Sequence, residues 1–95
     1  MSKILVIEDE AAIRRVLTKI LSEESDTYLV EEAEDGLVGI EKVKNDDYDL
    51  ILCDIKMPKM DGVEVLEAIK KIKPEIPVVM ISGHGDLDTA VNTMR

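Results

Sequence analysis

L-I-L-C-D-I-K-M-P-K-M-D-G, residues 50–62, is the stretch that decides the fold. Its first four residues are a continuous apolar run. Asp54 follows at once, and Asp61-Gly62 is a common turn dipeptide. A short run of this kind, bounded by a polar residue, suits a strand buried on both faces, as in a parallel sheet. The pattern recurs outward in both directions. Ile4-Leu5-Val6-Ile7 stands before Glu8 and Asp9, and Val78-Val79-Met80-Ile81 stands before Ser82. Tyr28-Leu29-Val30 is a weaker run, and the acids at Glu31 and Glu32 mark it as an edge strand.

Helical periods fill the intervals. Ile13, Val16, Leu17, Ile20 and Leu21 form one apolar stripe, which leaves Arg14, Arg15, Thr18 and Lys19 outward. Leu37, Ile40 and Val43 form a second. Val65, Leu66, Ile69 and Ile72 form a third, which Pro74 stops. Leu87, Ala90, Val91 and Met94 begin a fourth. The order is β-α four times over. With right-handed crossovers, that order predicts an α/β fold with a doubly wound parallel sheet. In such sheets ligands bind beyond the carboxyl ends of the strands, at the point where strand order reverses.

Bulk properties narrow the function. Ninety-five residues suit one domain, 1–95, with a thin core in which about 60–65% of the unfolded surface is buried. Only Tyr28 and Tyr48 are aromatic, so aliphatic side chains must fill that core. No run approaches the ~20 apolar residues of a membrane span, and Cys53 has no partner for an intrachain disulfide; both suit a cytoplasmic protein. Twenty-one acidic against 12 basic residues give a net charge of −9. Nucleic-acid binders concentrate positive charge instead, so direct nucleic-acid binding by this domain is not expected.

The acids at the strand ends carry the chemical expectation. If the first and third strands are neighbours, Glu8, Asp9 and Asp54 converge on one pocket. Crowded carboxylates raise one another's pKa unless a cation sits among them. An all-oxygen set with no His or Cys favours a hard ion, and Mg2+ is the natural candidate. Ser82 offers a hydroxyl at the same rim. Taken singly, each residue has a plainer use. Asp9 suits the cap of a helix starting near Ala11, and Ser82 and Asp86 could cap the fourth helix. Met57 and Met60 read as packing residues, His84 as a loop residue, and Cys53 as an inert core thiol.

Taken together, V-I-E-D-E (6–10), L-C-D-I-K-M-P-K-M-D-G (52–62) and V-V-M-I-S-G (78–83) resemble the receiver domains of bacterial two-component response regulators, which have the CheY-like fold. S-G-H-G-D-L-D-T-A-V (82–91) further resembles receivers of the NtrC/NtrX group of transcriptional activators. The resemblance implies strand order 2-1-3-4 and a phosphoacceptor at Asp54. It implies Asp9 as direct Mg2+ ligand, Glu8 as the second acid, the backbone carbonyl of Lys56 as a further ligand, and Ser82 as the switch hydroxyl. Pro58 and Gly62 would shape the loop. The donor it implies is a sensor histidine kinase or phosphotransfer protein, and the output domain, transcriptional in that group, lies outside this chain. Such a module is no enzyme beyond its own phosphorylation and dephosphorylation. The chemistry agrees: phosphoryl transfer asks for an in-line nucleophile and charge neutralisation, and a carboxylate can be that nucleophile. Arg14, Arg15 and Lys19 would suit a docking face, and a solvated helix face explains them equally well.

One departure stands out. The family has five strands and five helices, and these 95 residues reach only the fourth helix. The fifth strand, the last helix and the lysine that pairs with the phosphoryl group are not among them; Lys56 and Lys59 lie in the wrong loop. The expectation is a protein that continues past Arg95, or a chain that associates through its fourth strand, as in a homodimer. Two rivals remain. A haloacid-dehalogenase-type phosphohydrolase needs a second acid two residues after its nucleophile, where Lys56 stands. A receiver-like binding module that signals without phosphorylation would have no use for the acid triad, while the family lysine missing from these residues keeps that reading open.

Overall fold

The computed structural model describes residues 2–55, 57 and 60–81. Seven elements alternate: β1 (Ser2–Ile7), α1 (Ala11–Glu24), β2 (Tyr28–Ala33), α2 (Gly36–Asn45), β3 (Leu50–Asp54), α3 (Gly62–Ile72) and β4 (Val78–Ile81). All pairings are parallel, and the sheet order is β2-β1-β3-β4. The order reverses between β1 and β3, because the chain leaves β1 for one edge and returns past it. The expected fold class and strand order are therefore those found, with β2 at an edge. The fourth helix of the sequence pattern lies outside the described residues.

Side chains of β1 alternate between two cores. Leu5 and Ile7 pack with Val43, Ile51, Cys53, Val65 and Ile69, on the side of α2 and α3. Ile4 and Val6 pack with Leu17, Leu21, Leu52 and Ile81, on the side of α1. Helices thus cover both faces, as the two-sided apolar runs require. Gly39 brings α2 directly onto β1: a Cβ there would lie 2.5 Å from Ile7 Cδ1. Met57 is buried in the α2–α3 core and Met60 packs against it, so both are packing residues as expected.

Helices α2 and α3 begin as their sequences direct. The Asp35 carboxylate accepts from Val38 N at 2.9 Å, and the Asp61 carboxylate accepts from Val63 N at 2.7 Å, each satisfying a first-turn amide. Glu10 occupies the N-cap of α1 and makes no side-chain cap bond. Asp9 is therefore not the cap of α1.

Three details depart from the apolar stripes. Val16 and Leu37 are 47% and 61% exposed, at the outer margins of their helices. Thr18 faces inward instead, its hydroxyl buried without a hydrogen-bond partner. Arg14 is also turned inward, its side chain only 16% exposed. The α1 stripe is rotated toward positions 14 and 18 because the helix leans on β2 as well as β1.

Candidate phosphoryl and metal site

The acids meet where the sheet places them. Ile7 pairs with Cys53, so one residue further on Glu8 and Asp54 emerge side by side from β1 and β3. Asp9 follows Glu8 in the turn to α1. Carboxylate oxygens of Glu8, Asp9 and Asp54 all lie within 4.8 Å of one another. Glu8 and Asp54 are buried, at 3% and 8% exposure, and Asp9 is half-buried.

Burial dominates the electrostatics of Glu8, pushing its carboxyl up from 4.5 to about 7. The amide of Glu10, which donates to Glu8 Oε2 at 3.0 Å, pulls the other way. A hydrogen bond shared with Asp9 and the charges of Asp54 and Asp9 push it up again. A group under this pressure favours a proton or a cation. Three convergent carboxylates with no nitrogen or sulfur donor suit a hard divalent ion, which would relieve both the crowding and the desolvation. The donor set fits Mg2+.

The backbone at Ile55 and Gly62 closes tightly on Asp54. Ile55 N donates to Ile81 O at 2.8 Å, and Gly62 N donates to Ile55 O at 2.9 Å. A Cβ on Gly62 would lie 2.2 Å from the carbonyl oxygen of Asp54 and 2.7 Å from the Cα of Ile55. Only a residue without a side chain lets α3 begin there. Next to Asp54, burial and then the Asp54, Glu8 and Asp61 charges push the Cys53 thiol up to about 12, so it stays a protonated core thiol. Lys56, Pro58, Lys59, Ser82, His84 and Asp86 lie outside the described residues, so the Lys56 carbonyl and the Ser82 hydroxyl are not placed.

Residues 4–95 match the family model of the response regulator receiver domain. The chain belongs to the response regulator receiver family. Among curated proteins, this receiver is 39% identical over 92 residues to the transcriptional regulatory protein ZraR of Klebsiella oxytoca, covering 97% of this chain and 20% of that protein. It is 42% identical over 93 residues to a protein-glutamate methylesterase/protein-glutamine glutaminase of Methylobacillus flagellatus, covering 98% and 26%. A CheY-like receiver protein from Methanospirillum hungatei matches in structure with a TM-score of 0.82 at 34% identity, over 99% of this chain and 74% of that one. NtrX from Brucella abortus matches with a TM-score of 0.80 at 39% identity, over 100% of this chain and 22% of that one. ZraR and NtrX together support a receiver of the NtrC group. The chain spans about a fifth to a quarter of these curated relatives.

Two residues near the pocket escaped the sequence pattern. Arg14 donates through Nη1 to Glu8 O at 2.8 Å and through Nε to Glu32 Oε1 at 3.0 Å. Both contacts are tertiary, and no spacing rule announces them. Arg14 is thus not one of the outward cations of a docking face, whereas Arg15 and Lys19 are exposed.

Proposed function

We propose that this receiver takes a phosphoryl group onto the Asp54 carboxylate in the presence of Mg2+. The observation that carries the proposal is the convergence of Glu8, Asp9 and Asp54 oxygens within 4.8 Å at the carboxyl ends of two neighbouring strands. Glu8, Asp9 and Asp54 would hold the ion, with the backbone carbonyl of Lys56 as a further ligand. When bound, Mg2+ neutralises charge on the incoming phosphoryl oxygens. An oxygen of Asp54 forms the new bond to phosphorus as the phosphorus–nitrogen bond of a donor phosphohistidine breaks; the bonding pair stays on that nitrogen, and with the proton already on the other ring nitrogen the histidine leaves as neutral imidazole. The product is an acyl phosphate. Gly62 keeps the start of α3 clear of the Asp54 carbonyl, and Ser82 is the hydroxyl proposed to turn toward the phosphoryl oxygens.

The donor is a sensor histidine kinase or phosphotransfer protein, and the receiver relays its state to an output domain. ZraR, a transcriptional regulatory protein, supports a transcriptional output, and the proposed site of action is the cytoplasm. The methylesterase relative, at 42% identity, supports an esterase output as the second possibility. Among the described residues no helix is long and apolar enough to cross a membrane. The domain itself signals rather than catalyses, apart from its own phosphorylation and dephosphorylation. The test is chemical: with a small acyl phosphate and Mg2+, the protein should gain one acid-stable, base-labile phosphoryl group, and Asp54→Asn should gain none. Labelling that persists in Asp54→Asn would move the acceptor elsewhere.

A further inference from the structure

We infer that Arg14 is a positioning residue for the metal pocket, setting the turn that carries Glu8 and Asp9; this rests on the Mg2+ site proposed above. The guanidinium makes two separate contacts. Nη1 donates to the backbone carbonyl of Glu8 at 2.8 Å, and Nε donates to the carboxylate of Glu32 on β2 at 3.0 Å. The carbonyl of Glu8 belongs to the peptide unit that joins the two acids. Fixing that oxygen fixes the plane of the peptide, and so the direction in which Asp9 leaves the strand.

The rest of the turn shows why such a hold matters. Glu8 N is tied to Ala33 O at 3.1 Å, and the Glu8 carboxylate is tied to Glu10 N at 3.0 Å. The N-cap of α1, Glu10, supplies no side-chain bond. Arg14, in the first turns of the helix, reaches back over that uncapped start to the end of β1. Glu32 aims it from the neighbouring strand, where its residue stands opposite Val6. A planar, rigid fork suits this two-point task in a way that a single ammonium does not. Partners of this kind, which touch a ligand residue rather than the ion, commonly change metal affinity about 10–100-fold when removed.

The sign of the effect separates this role from a purely electrostatic one. A cation beside a metal pocket opposes Mg2+, so loss of its charge alone would tighten binding. Loss of positioning weakens it. Calorimetric titration with Mg2+ alone should therefore be run on the wild type, Arg14→Met, Arg14→Lys, Glu32→Gln and Asp9→Ala, beside metal-free melting curves. Arg14→Met is expected to weaken Mg2+ binding about tenfold. Arg14→Lys keeps the charge yet should weaken binding too, and Glu32→Gln should do so to a lesser degree. A merely structural role would lower the melting temperature and leave the Mg2+ affinity of the folded protein unchanged. Unchanged or tighter binding in Arg14→Met overturns the inference. If Arg14→Met does not fold, wild-type affinity in both Arg14→Lys and Glu32→Gln overturns it. Failure of the wild type to bind Mg2+, or full binding by Asp9→Ala, removes the metal site itself and shows before any Arg14 variant is compared.

Discussion

The two ends of the sheet are both rich in acids, and they treat them in opposite ways. Where β1 begins and α2 hands over to β3, Lys3 pairs with Asp46 and, at 3.4 Å, with Glu31. Lys42 lies 3.7 Å from Glu31, and Lys73 lies 2.6 Å from Asp47. Tyr48 donates its hydroxyl to Glu31 at 2.7 Å beneath the Lys3 ammonium, which sits 5.3 Å from its ring centre. That hydrogen bond, with Lys3 and Lys42, holds the Glu31 carboxyl below its ordinary range. At the other end, burial raises Glu8 to about 7, and the charges that act on it are those of Asp54 and Asp9. One end is neutralised from within the chain. The other gathers three carboxylates and buries two of them, an arrangement that a cation would relieve. Composition alone does not distinguish the two; the partners do.

The largest effect that would break this comparison concerns the metal. Mg2+ at 100 times its Kd is expected to raise the unfolding free energy by about 2.7 kcal/mol, since it binds the folded state alone. Asp9→Ala should show no such gain in denaturant titrations with and without Mg2+. A similar stabilisation in Asp9→Ala would mean that the ion sits elsewhere among the acids.

Next in size is Gly62→Ala, which forces a Cβ against the Asp54 carbonyl. Overpacking of this kind costs about 1–3 kcal/mol. The proposed phosphorylation of Asp54 should also slow, because relief requires the Asp54 backbone or the start of α3 to move. Wild-type stability and labelling together would show that the close approach is unimportant.

Tyr48→Phe probes the neutralised end. Removing a hydrogen bond to a charged acceptor should cost about 1.5 kcal/mol, with Mg2+ affinity unchanged. The pH dependence sharpens the point. Glu31 has its folded pKa lowered from 4.5, so it contributes stability that is present above that value and lost as pH falls through the folded pKa. Urea midpoints measured from neutral pH downward should therefore fall less steeply in Tyr48→Phe. An equally steep acid limb would remove Tyr48 from the account.

The smallest effect belongs to neither end. Thr18→Val replaces a buried hydroxyl that has no partner, so stability should hold steady or rise by less than about 1 kcal/mol. A clear loss would show that the hydroxyl is satisfied in solution.

How much of this was legible beforehand follows from the range of each interaction. The alternation of strands and helices, and the acids at the strand ends, were readable because apolar runs and strand ends are local rules, whereas the strand order that makes β1 and β3 neighbours was implied by the resemblance to receiver domains. The same rules left Asp9 open between cap and ligand, and it took the position of Glu10 at the N-cap to remove the first option. The helix stripe misjudged Val16, Thr18 and Arg14, since periodicity gives a face but not which strands it leans on. Arg14 reaches Glu32 across 18 positions, a contact that no local pattern encodes. The Lys3–Glu31–Tyr48 group was invisible for the same reason.

Whether the acid pocket serves Asp54 through a bound cation is read from the Mg2+ dependence of labelling by a small acyl phosphate, followed by intact mass. In the wild type, incorporation should rise with Mg2+, saturate at one phosphoryl group, and share its midpoint with the calorimetric titration. In Asp9→Ala it should remain at the metal-free level at every Mg2+ concentration. Equal labelling of the wild type in chelator and in saturating Mg2+ would contradict the account.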